Sequence, residues 1–252
     1  MLNSIMLDIN KINILVPMAG LGKRFQSAGY RAPKPLIRIA NKFMFEWALK
    51  SIDSLSLESK IIFVALRKDL DFGLQKLLSD IGVIVSIDNP TEGAVSTTLE
   101  ASTHINNETQ LLIMNCDQFL DWNIDKFIDS AQKFDASVAV FESKNPHHSY
   151  IDFKGQNVIR VEEKQVISNL ACGGVYYYRR GLDYINSAHK LIEKNYRTNG
   201  EFYISPVFNE LLLQGKQVTY FKLNNEKIHM LGTPEEVAEF ENKLKTEEAL
   251  IE

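Results

Sequence analysis

The chain has 252 residues, a length that suits one large α/β domain or one domain carrying a lobe. Hydrophobic residues at 45% and charged residues at 24% exclude long disorder, and a formal charge of −4 gives no general attraction to nucleic acid. Cys116 and Cys172 are the only cysteines, which argues against a disulfide framework and for a reducing compartment.

The opening MLNSIMLDIN has no basic n-region and is interrupted by Asp8, so it makes a poor signal peptide. No run approaches the ~18 apolar residues of a membrane span. A cytoplasmic protein without membrane or nucleic-acid partners is expected, with homo-oligomerisation left open. Apolar runs at 12–16, 61–66, 83–87 and 111–114 predict strands buried on both faces. Helical spacing runs through Met44, Trp47, Ala48 and Ile52, and again through Val95, Thr98, Leu99, Ser102 and Ile105. This alternation predicts a mostly parallel sheet flanked by helices, with ligands beyond the carboxyl ends of its strands.

After Ala136 the segments ASVAVFES, YIDF, NVIRVEE and CGGVYYYRR read as strands with short connections, predicting a smaller β-rich lobe of antiparallel or mixed pairing. Ser205-Pro206 offers an N-cap with proline at the first helical position, and Gly215 a stop. Thr233-Pro234-Glu235-Glu236 fits a capping box.

The stretch VPMAGLGKRFQSAGYRAPKPL, at 16–36, carries the densest chemistry. A dinucleotide fingerprint needs glycine where Phe25 stands, and a P-loop needs glycine at Pro17 and Ser or Thr at Arg24. Both readings fail, and the first failure disfavours a nicotinamide oxidoreductase. The physics of polyphosphate binding remains. Gly20 and Gly22 let backbone N–H groups approach an anion, and Lys23 and Arg24 add cationic donors. Lys34, between Pro33 and Pro35, is expected on a stiff extended segment aimed at the same anion. The alternative is an ordinary strand–helix turn with solvated basic residues.

This stretch resembles the signature of sugar-phosphate nucleotidyltransferases, in which G-x-G-x-R precedes K-P. PTEGAVST at 90–97, NCDQFL at 115–120, VEEK at 161–164, GGVYYY at 173–178, NGEFYISP at 199–206 and LGTPEE at 231–236 follow in that family's order. The wording PMAGLGKRF, AGYRAPKPL, NCDQ and NGEFYISPVFNEL is similar to a capsule-cluster subgroup of cytidylyltransferases. The resemblance implies a Rossmann-like, GT-A-like α/β domain over 1–252, with a nucleotide-binding half at about 11–135 and an acceptor-binding half at about 136–252. It also implies CTP as nucleotide, a small phosphorylated acceptor such as L-glutamine phosphate, and Mg²⁺ as cofactor.

Carried over position by position, the resemblance assigns Met18, Ala19, Gly20, Gly22 and Lys23 to the triphosphate, and Thr91, Glu92, Gly93, Ala94 and Asn115 to the nucleoside. Arg24, Lys23, Lys34 and Lys164 become the catalytic cations. Asp117, which follows the run LLIMN at a strand's carboxyl end, becomes the metal ligand. Glu163, Lys164, Gly173, Gly174, Tyr176, Glu201 and Tyr203 become the acceptor contacts. Structural alternatives stand beside these roles: a helix cap for Thr91, an edge charge pair for Glu163 and Lys164, and lobe core for the GGVYYY aromatics.

One position departs from the pattern. Many relatives carry a second metal-ligand aspartate where this chain has Met230, and a thioether is a poor Mg²⁺ ligand. One aspartate plus triphosphate, or another acid such as Glu201, is expected to serve. The rival functions are a hexose-1-phosphate nucleotidyltransferase and a non-catalytic nucleotide-binding regulator. A nucleotide-sugar glycosyltransferase is disfavoured because its D-x-D would read Asp117-Gln118-Phe119.

Overall fold

The computed structural model describes residues 9–248, so the reading of the opening segment falls outside it at residues 1–8. The four predicted N-terminal strands form as β1 (Lys11–Pro17), β2 (Glu58–Leu66), β3 (Val83–Ile87) and β4 (Gln110–Met114). They are parallel, with Leu15 opposite Ile62 on one side and Ile113 on the other. Period-two alternation divides them between two cores. Leu15, Ile62, Val64 and Ile113 face one layer, while Ile14, Val16, Phe63 and Met114 face the other.

The later segments form β5 (Ala136–Glu142), β6 (Ser149–Lys154), β7 (Asn157–Glu163), β8 (Leu170–Tyr178) and β9 (Val218–Lys222). They extend the first sheet instead of standing apart from it. Among the described residues one nine-stranded sheet runs β3-β2-β1-β4-β8-β5-β9-β7-β6. β8 is its hinge strand, antiparallel to both β4 and β5, and its register against β5 shifts between Cys172 and Tyr176. Gly173 and Gly174 occupy that irregularity, where glycine tolerates a bulge. Tyr177 and Tyr178 are fully buried, so these aromatics are core.

Three local expectations need correction. Lys34 is not extended: it opens a 3₁₀ turn, Lys34–Leu36, closed by Ile37 N–H donating to the Lys34 carbonyl. The helical pattern across 95–105 splits into Ala94–Leu99 and Ser102–Ile105. Near that break the Thr98 hydroxyl donates to the Val95 carbonyl at 2.6 Å, a back-bond that bends helices. Pro206 stands at the N-cap of helix Val207–Leu213, not at its first position, because the Ser205 hydroxyl is drawn to Glu163 instead of capping. Gly215 does end that helix, with φ of 75° and its N–H on the Leu212 carbonyl.

Helix Pro234–Glu248 begins as expected, with Glu236 N–H donating to the Thr233 hydroxyl at 3.2 Å. An aromatic cluster seats it. The Phe240 ring lies 4.9 Å from Trp47, on helix Met44–Lys50, and 4.7 Å from His229. Phe119 lies 5.3 Å from Trp47 and stacks on His229. The short pairing of 118–120 with 228–230 completes the seat and brings the 231–236 loop beside Asp117, where Leu231 N–H donates to the Asp117 carbonyl at 2.8 Å. No described helix is long and apolar enough to cross a membrane.

Burial within this cluster, with Lys243 and Lys227 nearby, lowers the His229 pKa to about 4 against the opposing pull of Asp121. The unfolded chain therefore takes up this proton first. Stability from a neutral His229 is complete above about pH 6.5 and falls as the pH drops toward 4. Melting temperatures measured at pH 7 and pH 4.5 should differ less in His229→Phe than in the parent chain.

Candidate active site

The carboxyl ends of the neighbouring parallel strands β1 and β4 lie at the same edge of the sheet, where a parallel sheet takes its ligands. Beyond β1, Met18 and Ala19 are buried, and Met18 N–H donates to the Val64 carbonyl at 2.8 Å, tying the loop to β2. Gly20 is exposed, and a Cβ placed on it would meet nothing within 4 Å. Gly22 caps helix Lys23–Ser27 with φ of 62°, and a Cβ there would stand 3.0 Å from the Lys34 Cβ. A left-handed backbone and a close neighbour together call for glycine. Lys23 and Arg24 project from the helix start into solvent.

Lys34 crosses to the end of β4. Its ammonium donates to Asp117 Oδ2 at 2.5 Å, with side-chain exposures of 18% and 22%. Burial alone would lower the Lys34 pKa. The charge of Asp117, with its hydrogen bond, outweighs burial and the repulsion of Arg24, and the pKa rises. The Cys116 thiol is pushed up to about 12, chiefly by burial, so it is neutral and inert. Next to it, Asn115 N–H donates to the Gly174 carbonyl at 3.0 Å. A Cβ on Gly174, whose φ is 73°, would fall 2.7 Å from Asn115 Nδ2 and into the Gln118 amide. Gly173 packs against the Ala139 carbonyl.

The loop at 91–94 is fixed from the other half of the chain. Phe202 N–H donates to the Glu92 carbonyl at 2.9 Å, and Val95 N–H to the Phe202 carbonyl at 3.1 Å. Gly93, at φ of 131°, caps helix Ala94–Leu99, and a Cβ there would be 2.5 Å from the Phe202 nitrogen. The Thr91 hydroxyl bonds the Gly93 carbonyl at 2.9 Å and Thr97 Oγ1 at 2.6 Å, so Thr91 braces the turn while Gly93 holds the cap. Arg197 clasps this zip from outside. It donates to Glu92 Oε2 at 3.0 Å and to the Gly200 carbonyl at 2.9 Å, with its guanidinium 3.8 Å over the Phe202 ring.

On the far side, Glu163 ends β7 at 9% exposure and accepts from the Ser149 and Ser205 hydroxyls. Burial raises its pKa, against those two hydrogen bonds and Lys164, with Glu201 adding repulsion. Lys164 has φ of 56°, a strained backbone for a side-chain-bearing residue, and its ammonium donates to the Tyr203 hydroxyl while lying 4.3 Å from that ring. Tyr203 donates onward to Glu201 Oε2 at 3.0 Å. Burial, followed by Glu201 and Glu163, raises the Tyr203 pKa, which Arg24 opposes. Tyr176 is buried at 6% exposure and packed on Phe208.

The structure thus gathers Gly22, Lys34, Asp117, Asn115 and Gly174 on one side, and Glu163, Lys164, Glu201 and Tyr203 on the other. Asp121 lies away from them, paired with Lys227, while Asn123 caps helix Ile124–Ala131. Sequence pattern does not single out Ser149 or Arg197, whose telling partners, Glu163 and Glu92, are brought near only by the fold. It marks Ser205 and Glu236 only as helix-start residues.

A model of the Nucleotidyl transferase family matches residues 14–247. The chain belongs to that family. Its fold is similar to that of the nucleoside-diphosphate-sugar pyrophosphorylase from Vibrio cholerae RC9, with TM-score 0.81 and 24% identity over 91% of this chain and 99% of that one. It is also similar to the inositol-1-phosphate CTP transferase from T. maritima, with TM-score 0.70 and 17% identity over 92% and 96% of the two chains. No curated protein matches the chain in sequence. The solved structures establish the α/β fold, and the family establishes a nucleotidyltransferase; its members generally use a divalent metal, typically Mg²⁺.

Gly93→Ala would drive a methyl into the Phe202 backbone at a φ that alanine avoids. Urea denaturation should give a loss of about 2–3 kcal/mol.

Proposed function

We propose that this nucleotidyltransferase is a CTP:phosphoglutamine cytidylyltransferase, moving CMP from CTP onto the phosphate of a small acceptor, L-glutamine phosphate, in capsule-modification biosynthesis. The observation that carries the reading is two separately held cations beside the strand ends, Lys34 on Asp117 after β4 and Lys164 on Tyr203 after β7, with Arg24 exposed at the β1 loop. Two phosphorylated molecules repel each other, and such a site neutralises both. The choice of cytosine and of glutamine rests on the resemblance of PMAGLGKRF, AGYRAPKPL and NGEFYISPVFNEL. In this reading residues 11–135 bind the nucleotide and 136–252 the acceptor, and the two buried free thiols suit a reducing cytoplasm.

The acceptor phosphate is already ionised, so its oxygen attacks the α-phosphorus of CTP without a general base. A bond forms from that oxygen to phosphorus, the bond to the bridging oxygen of the β-phosphate breaks, and pyrophosphate departs with the electron pair. The Gly20–Gly22 loop cradles the triphosphate, Lys23 and Arg24 stabilise the leaving group, and Lys164, released from Tyr203, holds the acceptor phosphate. Glu201 and Tyr203 are placed to read the acceptor's amino-acid portion. Catalysis of this kind is positioning plus electrostatics.

The residues also fit a divalent cation. Asp117 offers a carboxylate oxygen already holding a cation, the Lys34 ammonium, and an oxygen donor suits Mg²⁺. Among the described residues no group of three or more His, Cys, Asp or Glu gathers as a metal site, so phosphate and water oxygens must complete the shell. When bound, the cation would spread the charge growing on the triphosphate.

A pyrophosphate-release screen crossing the four NTPs with L-glutamine phosphate, glucose 1-phosphate and other phosphorylated acceptors tests the reading. Release should require CTP and L-glutamine phosphate together. Turnover with glucose 1-phosphate alone would assign a nucleotide-sugar synthesis instead, and CTP binding without release from any acceptor would assign a regulator. Arg24→Ala and Lys164→Ala should each lower kcat/KM roughly 10²-fold with an unchanged circular dichroism spectrum.

A further inference from the structure

A single carboxylate is a sparse protein contribution to a site for a hard cation, and the two residues nearest the departure from the family pattern cannot enlarge it. Met230 offers a thioether, and the His229 ring is stacked on Phe119 and packed against Phe240. Gly232, two residues on, marks another candidate. Its backbone is not left-handed, so what it spares is volume. A Cβ on Gly232 would lie 3.2 Å from Asp117 Oδ2 and 3.4 Å from Glu236 Oε2. Two carboxylate oxygens from distant parts of the chain thus converge on one small gap that glycine leaves open.

Such convergence is unfavourable unless a positive group lies between or beside the two acids. Lys34 supplies it on the Asp117 side, as a stand-in for a cation. On the other side, the Glu236 carboxylate lies beside Gly232 at the start of helix Pro234–Glu248, where the Thr233 hydroxyl accepts from Glu236 N–H at 3.2 Å. That helix is anchored by Phe240 against Trp47, so Glu236 is a carboxylate on a rigid mount. Mg²⁺ takes one or two carboxylates and completes its octahedron with phosphate and water oxygens.

We infer that Glu236 is the second protein ligand of the divalent cation, opposite Asp117 across the Gly232 gap. The inference rests on the nucleotidyl-transfer reading for the presence of a cation, not on which acceptor is used. Glu236 then serves twice, in the first turn of the helix that Thr233 caps and as cation ligand through its carboxylate. The two duties separate experimentally, because glutamine at this position still suits the first turn while losing its charge.

Mn²⁺ is the probe, titrated into the full chain in the presence of a non-hydrolysable CTP analogue and followed by the loss of the free-ion electron paramagnetic resonance signal. Glu236→Gln should raise the Mn²⁺ dissociation constant about tenfold or more with a melting temperature close to the parent's. Thr233→Ala, which damages the cap and spares the carboxylate, should melt lower yet bind Mn²⁺ as the parent does. Parent-like Mn²⁺ affinity in Glu236→Gln would overturn the inference and leave Glu236 a helix-start residue. Weakened Mn²⁺ binding in Thr233→Ala equal to that in Glu236→Gln would overturn it too, since the cap alone would explain both. A parent chain that binds Mn²⁺ through Glu236 but releases no pyrophosphate would sink the acceptor assignment and keep the cation site.

Discussion

The contact between Lys34 and Asp117 organises this molecule. Each partner arrives from a separate argument of the chain: Asp117 is delivered by the buried parallel strand β4, and Lys34 by a 3₁₀ turn set between prolines. Once they meet at 2.5 Å, the Lys34 stem covers Gly22, which fixes the glycine loop, and Asp117 receives Leu231 through its carbonyl, which fixes the 231–236 loop. Losing one partner of a fully buried pair costs about 3–5 kcal/mol. With side chains still about a fifth exposed, the cost here should be smaller, on the order of 1–3 kcal/mol. The pair's main consequence is placement.

Much of the fold could be read from local pattern. The runs at 12–16, 61–66 and 111–114 are buried on both faces, and that burial needs only apolar residues in unbroken sequence, whichever neighbour they meet. The run at 83–87, expected to be buried likewise, is instead a half-covered edge strand with Ser86 exposed, because it has a neighbour on one side only. Thr233 and Gly215 also behaved as written, because caps and stops involve residues a few positions apart. The failures share a cause. Ser205 could cap its helix or bond elsewhere, and the choice was made by Glu163, far along the chain. The flanking prolines point to an extended Lys34, whereas its conformation follows the turn closed by Ile37. Continuity of the sheet through β8 is likewise a fact of pairing, which periodicity does not encode.

The cleft was legible to the extent that its parts are short motifs. Glycines with adjacent cations at 20–24 and an acid at the end of an apolar run announce themselves by composition alone. Arg197 and Ser149 do not, since each acts on a residue brought near by the sheet. Glu236 is a different case. Its signal was present, but a carboxylate at the third position of a helix has a sufficient local explanation, and only its approach to Asp117 across Gly232 adds another.

The zip between Glu92, Gly93 and Phe202 has a consequence for how this protein can change. Backbone hydrogen bonds run both ways across it, and no side chain fits between the strands of chain at Gly93. The loop at 91–94 and the segment at 200–203 therefore form one inherited piece. A transplant of the first from a relative with a different preference would meet the wrong backbone unless the second travelled with it. Alterations in the two halves of the cleft should accordingly arise in concert along a lineage, and a recombinant junction placed between residues 95 and 198 would divide a unit that the folded chain keeps whole.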